Sequence, residues 1–158
     1  MKLNALYNNP KSKNNTEYFS KLAIIELCGW IEDSFDDLAK QYAKKNLKDA
    51  KNIKYFDGRI KKIHGFDYME NIRPLLIMLV GLRKFETIEN KLNKNYEMDK
   101  LKATLERLAK KRNEAAHSHI YDENNVIRSF DAPSKIYSDW KDVYDILKKI
   151  ETELKVSR

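Results

Sequence analysis

The sequence predicts an all-α fold, an up-and-down bundle of about five helices in one domain spanning residues 1–158. Only four glycines and three prolines occur in the 158 residues, too few for the many turns of an all-β fold. Apolar residues recur at steps of three and four over most of the chain, which is the period of a half-buried helix. No internal repeat, low-complexity tract or shift in composition marks a second domain.

Each predicted element depends on this spacing and on local start and stop signals. Residues 1–15 are predicted to be a flexible leader, because 8–15 are mainly Asn, Lys, Ser and Pro. Asn15 or Thr16 suits the N-cap of the first helix, and Arg73-Pro74 suits the first turn of the third. That third helix is apolar nearly all round between Leu75 and Leu82 and is expected at the centre. The predicted helices cover residues 16–45, 53–63, 73–92, 98 to 117–120, and 134–154.

Positive charge is concentrated in two stretches of the chain. The net charge is +7 and the sequence pI is about 9.3. Residues 44–62 hold eight cations and two carboxylates, and residues 100–112 hold six cations and one carboxylate. The first predicted helix is instead rich in Asp and Glu. A basic balance of this kind favours a polyanionic partner such as nucleic acid.

The composition also argues against several protein classes. Cys28 is the only cysteine, so an intramolecular disulfide is impossible and a reducing cytosol is expected. Cys28 has no nearby histidine along its helix and is assigned to the core. The first 16 residues lack the apolar region of a secretory signal, and the apolar run 74–82 is too short to span a bilayer. We therefore expect a cytoplasmic protein with no membrane partner.

The most informative segment is Arg112-Asn113-Glu114-Ala115-Ala116-His117, late in the fourth helix. An arginine can neutralise charge that develops on a phosphate, and a histidine can transfer protons near neutral pH. Asn113 and His117 are four residues apart and share one helix face. This combination suits RNA cleavage without a metal ion.

Arg112 also occupies an unexpected place on the helix. The apolar stripe of Leu101, Leu105 and Leu108 continues at Arg112, so a cation stands where a leucine is expected. Two interpretations stay open. Arg112 either serves a site, or it extends to the rim of the bundle and pairs with the acidic first helix.

These residues resemble the signature of HEPN-domain ribonucleases, in which an arginine and a polar residue precede a histidine. The family allows four to six residues between arginine and histidine, so His117 and His119 both qualify. Residues 25–32 also resemble the first helix of bacterial members. The resemblance implies a homodimer in which the motif-bearing helices meet, with RNA as substrate and no cofactor or metal.

The resemblance also implies a role for each residue. In the dimer, His117 of one subunit removes the proton of a ribose 2′-hydroxyl, and His117 of the partner subunit protonates the leaving 5′-oxygen. Arg112 stabilises the charged phosphorane, and Asn113 orients His117 or the phosphate. Lys110 and Lys111 contact flanking phosphates. A 2′,3′-cyclic phosphate end results.

One position departs from a branch of the family. Members with a nucleotidyltransferase antitoxin commonly have a tyrosine two residues after the histidine, and this chain has His119 there. An antitoxin protein therefore stays among the expected partners, but the sequence does not assign it to the nucleotidyltransferase type. His117 and His119 lack a nearby third metal ligand, and His64, beside Gly65, is assigned to a turn.

The sequence thus favours an endoribonuclease that acts as a toxin or phage-defence effector. Two alternatives remain open. One is a non-catalytic RNA-binding or adaptor module of the same fold. The other is a purely structural helical partner, in which Arg112 forms an ion pair and His117 ends a helix.

Overall fold

A computed structural model describes residues 2–9, 13–117 and 129–155, and these residues contain α-helices, one π-helical turn at Tyr68–Ile72, and no strand. The predicted all-α class is confirmed. The helices are α1 (Lys2–Asn8), α2 (Lys13–Asn46), α3 (Ala50–Ile60), α4 (Arg73–Val80), α5 (Leu82–Asn93), α6 (Glu97–His117) and α7 (Pro133–Leu154).

The long helix α2 organises the core, because it packs against α1, α3, α4, α6 and α7. Leu101, Leu105 and Leu108 of α6 are fully buried, as their spacing predicted. On α2, Ile24, Ile31 and Phe35 are buried in the same way. Cys28 is buried too, which confirms its assignment to the core. No helix in the described part of the chain has the length and apolar content needed to cross a membrane.

The prediction of a flexible leader over residues 1–15 is wrong for the part that the structure describes. Lys2–Asn8 form α1, and α2 already begins at Lys13. Helix α1 packs against α2 and α7, and Leu3 is partly buried against the core. Seven residues cannot form a stable helix alone. Their order comes from tertiary contact, which local composition does not report.

The predicted third helix is divided in two, which is one reason why the described residues form seven α-helices rather than about five. Gly81 has φ +79° and ends α4, with its N–H bonded to the carbonyl of Ile77. A residue with positive φ cannot continue a right-handed helix, and glycine adopts this conformation at low cost. Before α4, the Asp67 carboxylate caps the π-helical turn by accepting hydrogen bonds from the N–H groups of Met69 and Glu70. The π-helical turn and α4 thus form one helical segment that is capped at Asp67 and ends at Gly81.

Candidate functional site

Arg112 lies one turn beyond the buried Leu108 on α6. Its side chain is about 41% exposed, and its Nη2 lies 3.6 Å from Oε1 of Glu32 on α2. Its Nη1 donates a hydrogen bond of 3.2 Å to Oδ1 of Asn113. The ion pair expected by one of the two interpretations is therefore present. The guanidinium still has an exposed part, so this contact leaves room for a ligand.

A cavity of about 470 Å³ opens beside Arg112. Three parts of the chain line it: α6, the middle of α2, and the segment from His64 to Asn71 that follows α3. The lining residues are Ala109, Arg112 and Asn113, then Glu32, and finally His64, Gly65, Phe66, Asp67 and Asn71. The cavity thus joins the predicted motif to residues that are more than 40 positions away in sequence.

The turn from His64 to Asp67 is held in place by Asn71. The side-chain Nδ2 of Asn71 donates to the carbonyl of His64 at 3.2 Å, and its Oδ1 accepts from the N–H of Asp67 at 3.0 Å. Gly65 has φ +99°, and a Cβ there would lie 3.3 Å from Oδ1 of Asn71. Glycine suits this turn, because a side chain would be strained at this φ and its Cβ would crowd Asn71. The hydrogen bonds of Asn71 therefore shape this wall of the cavity.

Carboxylates and a buried thiol lie close to the site. Burial raises the pKa of Asp36, which lies one turn after Glu32, and the nearby Lys40 and His64 oppose that increase. Burial also raises the pKa of Cys28 to about 12, while Arg112 acts to lower it. The Cys28 thiol donates to the carbonyl of Leu108. A thiol in this state is no nucleophile at neutral pH, so Arg112 and the imidazoles carry the chemistry available here.

His117 ends α6 and is exposed. It lies four residues after Asn113, about 6 Å further along the same helix face. His117 is not among the residues that line the 470 Å³ cavity. The motif is therefore divided along α6, with Arg112 and Asn113 at the cavity and His117 above it. His119, the alternative histidine, lies outside the described residues.

The two lysines predicted to contact substrate differ in their surroundings. The Nζ of Lys111 lies 2.9 Å from Oδ2 of Asp131, in the segment before α7. Lys110 is exposed and forms no ion pair with any described residue. A role for each lysine in binding substrate stays a prediction, and the structure makes Lys110 the more accessible of the two.

His64 was assigned to a turn, and the structure confirms the turn but also places the residue at the cavity. No sequence signal pointed to this position, because 47 residues separate His64 from Arg112. Tertiary packing brings the two together, because α6 contacts both α2 and the π-helical turn that follows His64, and α2 contacts α3. His64 is thus the cavity residue that sequence reasoning did not recognise.

Two other features of the fold bear on the choice of site. Within residues 2–9, 13–117 and 129–155, no cluster of three His, Cys, Asp or Glu residues could hold a metal ion. A cavity of about 550 Å³ lies between α1, α2 and α7, with Trp30, Tyr137 and Trp140 in its walls. Apart from Lys2 and Glu26 its lining holds no ionisable side chain except Tyr137, and it contains no histidine or arginine, so it offers less chemistry than the cavity at Arg112.

Comparison with known proteins identifies the family. A family model described as RiboL-PSP-HEPN matches residues 2–155, nearly the whole chain. No match was found among curated proteins or among solved structures. The matched region includes α6 with its Arg112, Asn113 and His117, and membership suggests a nuclease or another RNA-related function. The all-helical fold, the motif and this match together show that the chain belongs to the RiboL-PSP-HEPN family of HEPN domains.

Proposed function

We propose that the protein is a metal-independent endoribonuclease that acts as a homodimer, as a toxin or a defence effector. The observation that carries the proposal is the partly exposed side chain of Arg112 at the edge of a cavity. An arginine in line with buried leucines could have been covered entirely by its ion-pair partner. Here Nη2 pairs with Glu32 and Nη1 donates to Asn113, yet the side chain stays about 41% exposed beside the cavity, so a phosphate can approach it.

The proposed reaction needs only this chain's side chains and the 2′-hydroxyl of RNA. His117 takes the 2′-hydroxyl proton while the 2′-oxygen forms a bond to phosphorus. The bond from phosphorus to the 5′-oxygen breaks, and that oxygen receives a proton from His117 of the partner subunit. Arg112 stabilises the charge on the phosphorane oxygens. The products are a 2′,3′-cyclic phosphate and a 5′-hydroxyl, and DNA is excluded because it lacks the attacking group.

The surface of α2 supports a dimer in which two motifs come close together. Tyr18, Leu22 and Ile25 are exposed at helical spacing, and Gly29 continues the same face. Glu32, which pairs with Arg112, comes next on that face. Exposed apolar stripes of this kind are typical of protein–protein contacts. A second copy packed on this stripe would extend over Arg112 and bring a second His117 to the cleft.

The test is cleavage of labelled RNA in EDTA by the wild type and by Arg112→Ala, His117→Ala and His119→Ala. We expect losses of about 10²- to 10⁴-fold in Arg112→Ala and His117→Ala, and cyclic phosphate ends in the wild-type products. Lys102→Ala, an exposed residue of α6 without an ion pair, is the matched control and should retain activity. Sedimentation of the same samples reports whether the protein is a dimer.

Each contrary result has a defined meaning. Full cleavage by Arg112→Ala would contradict the proposed site. Full cleavage by His117→Ala, with loss in His119→Ala, would move the proton-transfer role to His119. Intact RNA that is nonetheless bound by the wild type would favour a non-catalytic RNA-binding module. That module is the second candidate, because His117 does not line the Arg112 cavity in the single chain.

A further inference from the structure

Helix α3 presents a basic surface on the side facing away from the core. Phe56 and Ile60 are its buried residues. Lys51, Lys54, Tyr55 and Gly58 lie at steps of three, one and three, so they share the opposite face of α3. Lys62 follows two residues after the last residue of α3. We name these five residues the α3 cationic face. All of them are exposed.

The cations of this region have no partner among residues 2–9, 13–117 and 129–155. Lys48, Lys51, Lys54, Arg59, Lys61 and Lys62 are exposed and form no ion pair or side-chain hydrogen bond with the described residues. Of the two local carboxylates, Asp49 is engaged in capping α3 through the N–H groups of Lys51 and Asn52. This charge does not stabilise the fold through any contact that the structure describes.

The position of Lys51 is unfavourable for the helix itself. Lys51 lies in the first turn of α3, which contains no acidic residue. The N-terminal end of a helix carries partial positive charge, so a cation there is destabilising. Lys54 adds further positive charge to the same face, and Lys62 lies just beyond the end of the helix. The single carboxylate of the Asp49 cap offsets only part of this charge, so the surface is suited to an external anion.

Tyr55 and Gly58 indicate what kind of anion fits. The Tyr55 ring is 66% exposed between lysines of adjacent turns, where it offers a flat surface for a base. A Cβ at Gly58 would meet nothing within 4 Å, so packing within the chain does not require glycine there. Because Gly58 has no side chain, the backbone of a bulky ligand can approach the helix closely at this position. Cations beside an exposed aromatic ring are the combination that binds single-stranded nucleic acid, whereas an acidic protein surface needs only the cations.

The α3 cationic face is continuous with the cavity at Arg112. Lys62 lies two residues before His64, and consecutive Cα atoms are 3.8 Å apart, so the Cα atoms of the two are within about 8 Å. His64 lines the same cavity as Arg112. A strand that leaves the cavity past His64 therefore arrives at Lys62 and then at α3.

We propose that the α3 cationic face binds the single-stranded RNA that continues from a phosphate held at Arg112. This inference builds on the proposed ribonuclease function and adds the surface that holds the flanking substrate. The lysines contact phosphates, Tyr55 stacks on a base, and Gly58 leaves room for the backbone. The face sets the affinity for RNA, while the cleft performs the cleavage.

The first test measures binding without cleavage. A fluorescent 2′-O-methyl oligouridine cannot be attacked at its 2′ position, so anisotropy reports affinity alone. Lys51→Gln/Lys54→Gln/Lys62→Gln is compared with Lys94→Gln/Lys102→Gln/Lys141→Gln, a triple variant of equal charge change at exposed residues without ion pairs. We expect the α3 variant to bind about tenfold more weakly or worse, with a salt slope smaller by about 2, since each phosphate contact on a single strand contributes about 0.7. The control variant should match the wild type, and equal binding by both triple variants would overturn the proposal.

The second test separates RNA from an acidic protein partner. Tyr55→Ala should weaken binding about fivefold or more through lost stacking, while the salt slope stays unchanged. Tyr96→Ala, at another exposed tyrosine, is the matched control and should bind as the wild type does. Unchanged affinity in Tyr55→Ala would overturn the choice of RNA and favour an acidic protein. All these side chains are exposed, so circular dichroism should show folded variants.

Cleavage of ordinary RNA distinguishes failure of this inference from failure of the proposed function. We expect the α3 triple variant to show a raised KM with kcat nearly unchanged. If the wild type cleaves RNA and the α3 variant matches its control, the inference fails and the ribonuclease stands. If the wild type cleaves no RNA but binds it through α3, the ribonuclease fails and the binding face stands.

Discussion

The two basic stretches, residues 44–62 and residues 100–112, are both rich in cations but have different surroundings in the structure. In α6, four of the cations face carboxylates of other parts of the chain. These pairs are Lys100 with Asp142 at 2.8 Å, Arg107 with Asp139 at 2.8 Å, Lys111 with Asp131 at 2.9 Å, and Arg112 with Glu32 at 3.6 Å. In residues 48–62, no cation has such a partner among the described residues. The charge of α6 is largely used within the fold, and that of α3 is available to a ligand.

This difference shows that cation density along the chain does not identify a binding surface. Helix α6 lies against α7 and α2, whose sides facing it carry carboxylates. Helix α3 packs through Phe56 and Ile60 and turns its lysines to solvent. Which cations remain free depends on the neighbouring helix, and three predictions test that contrast.

The largest effect is expected at Asp139, which is only 2% exposed and pairs with both Arg107 and Lys135. Asp139→Ala should lower the free energy of unfolding by about 2–3 kcal/mol, somewhat less than for a fully buried pair because water still reaches Arg107. Urea denaturation measures the change. Asp142→Ala removes a more exposed partner, that of Lys100, and should cost less than about 1 kcal/mol. Similar losses in both variants would contradict a structural role specific to the buried pair.

An intermediate effect is expected at the adjacent lysines of α6. Lys111→Gln should lower the free energy of unfolding by about 0.5–1 kcal/mol, because it breaks the contact with Asp131. Lys110→Gln, its immediate neighbour and control, should change stability by less than about 0.5 kcal/mol. In RNA binding the order should reverse, with Lys110→Gln the weaker binder. A greater loss of binding in Lys111→Gln would show that its ion pair opens for substrate.

The smallest effect on stability, and one of opposite sign, is expected in α3. Lys51→Glu should raise the free energy of unfolding by about 0.3–0.5 kcal/mol, because a carboxylate suits the first turn of a helix and repulsion with Lys54 disappears. Thermal denaturation measured with and without added salt would show a gain that shrinks as salt is added. The same variant should bind RNA more weakly than the wild type. A loss of stability instead would show that Lys51 has a partner in the folded state.

Much of the fold followed from periodicity alone. The leucines of α6 were predicted to face inward, and Leu101, Leu105 and Leu108 are fully buried. The prediction of a flexible leader was wrong because α1 is ordered by contact with α2 and α7 rather than by its own sequence. The end of α4 at Gly81 was not predicted, because a single glycine inside an apolar run does not by itself indicate a positive φ.

The candidate site was predictable only in part. Arg112, Asn113 and His117 were found because they lie on consecutive turns of one helix, where sequence spacing is also spatial spacing. Sequence order alone determined the all-α class, the inward faces and this motif, since helical periodicity is a local property. The tertiary structure decided that Glu32 holds Arg112, that His64 reaches the same cavity, and that Lys111 is paired while the α3 lysines are free. These outcomes depend on which helices become neighbours, and packing between distant segments leaves no local pattern in the chain.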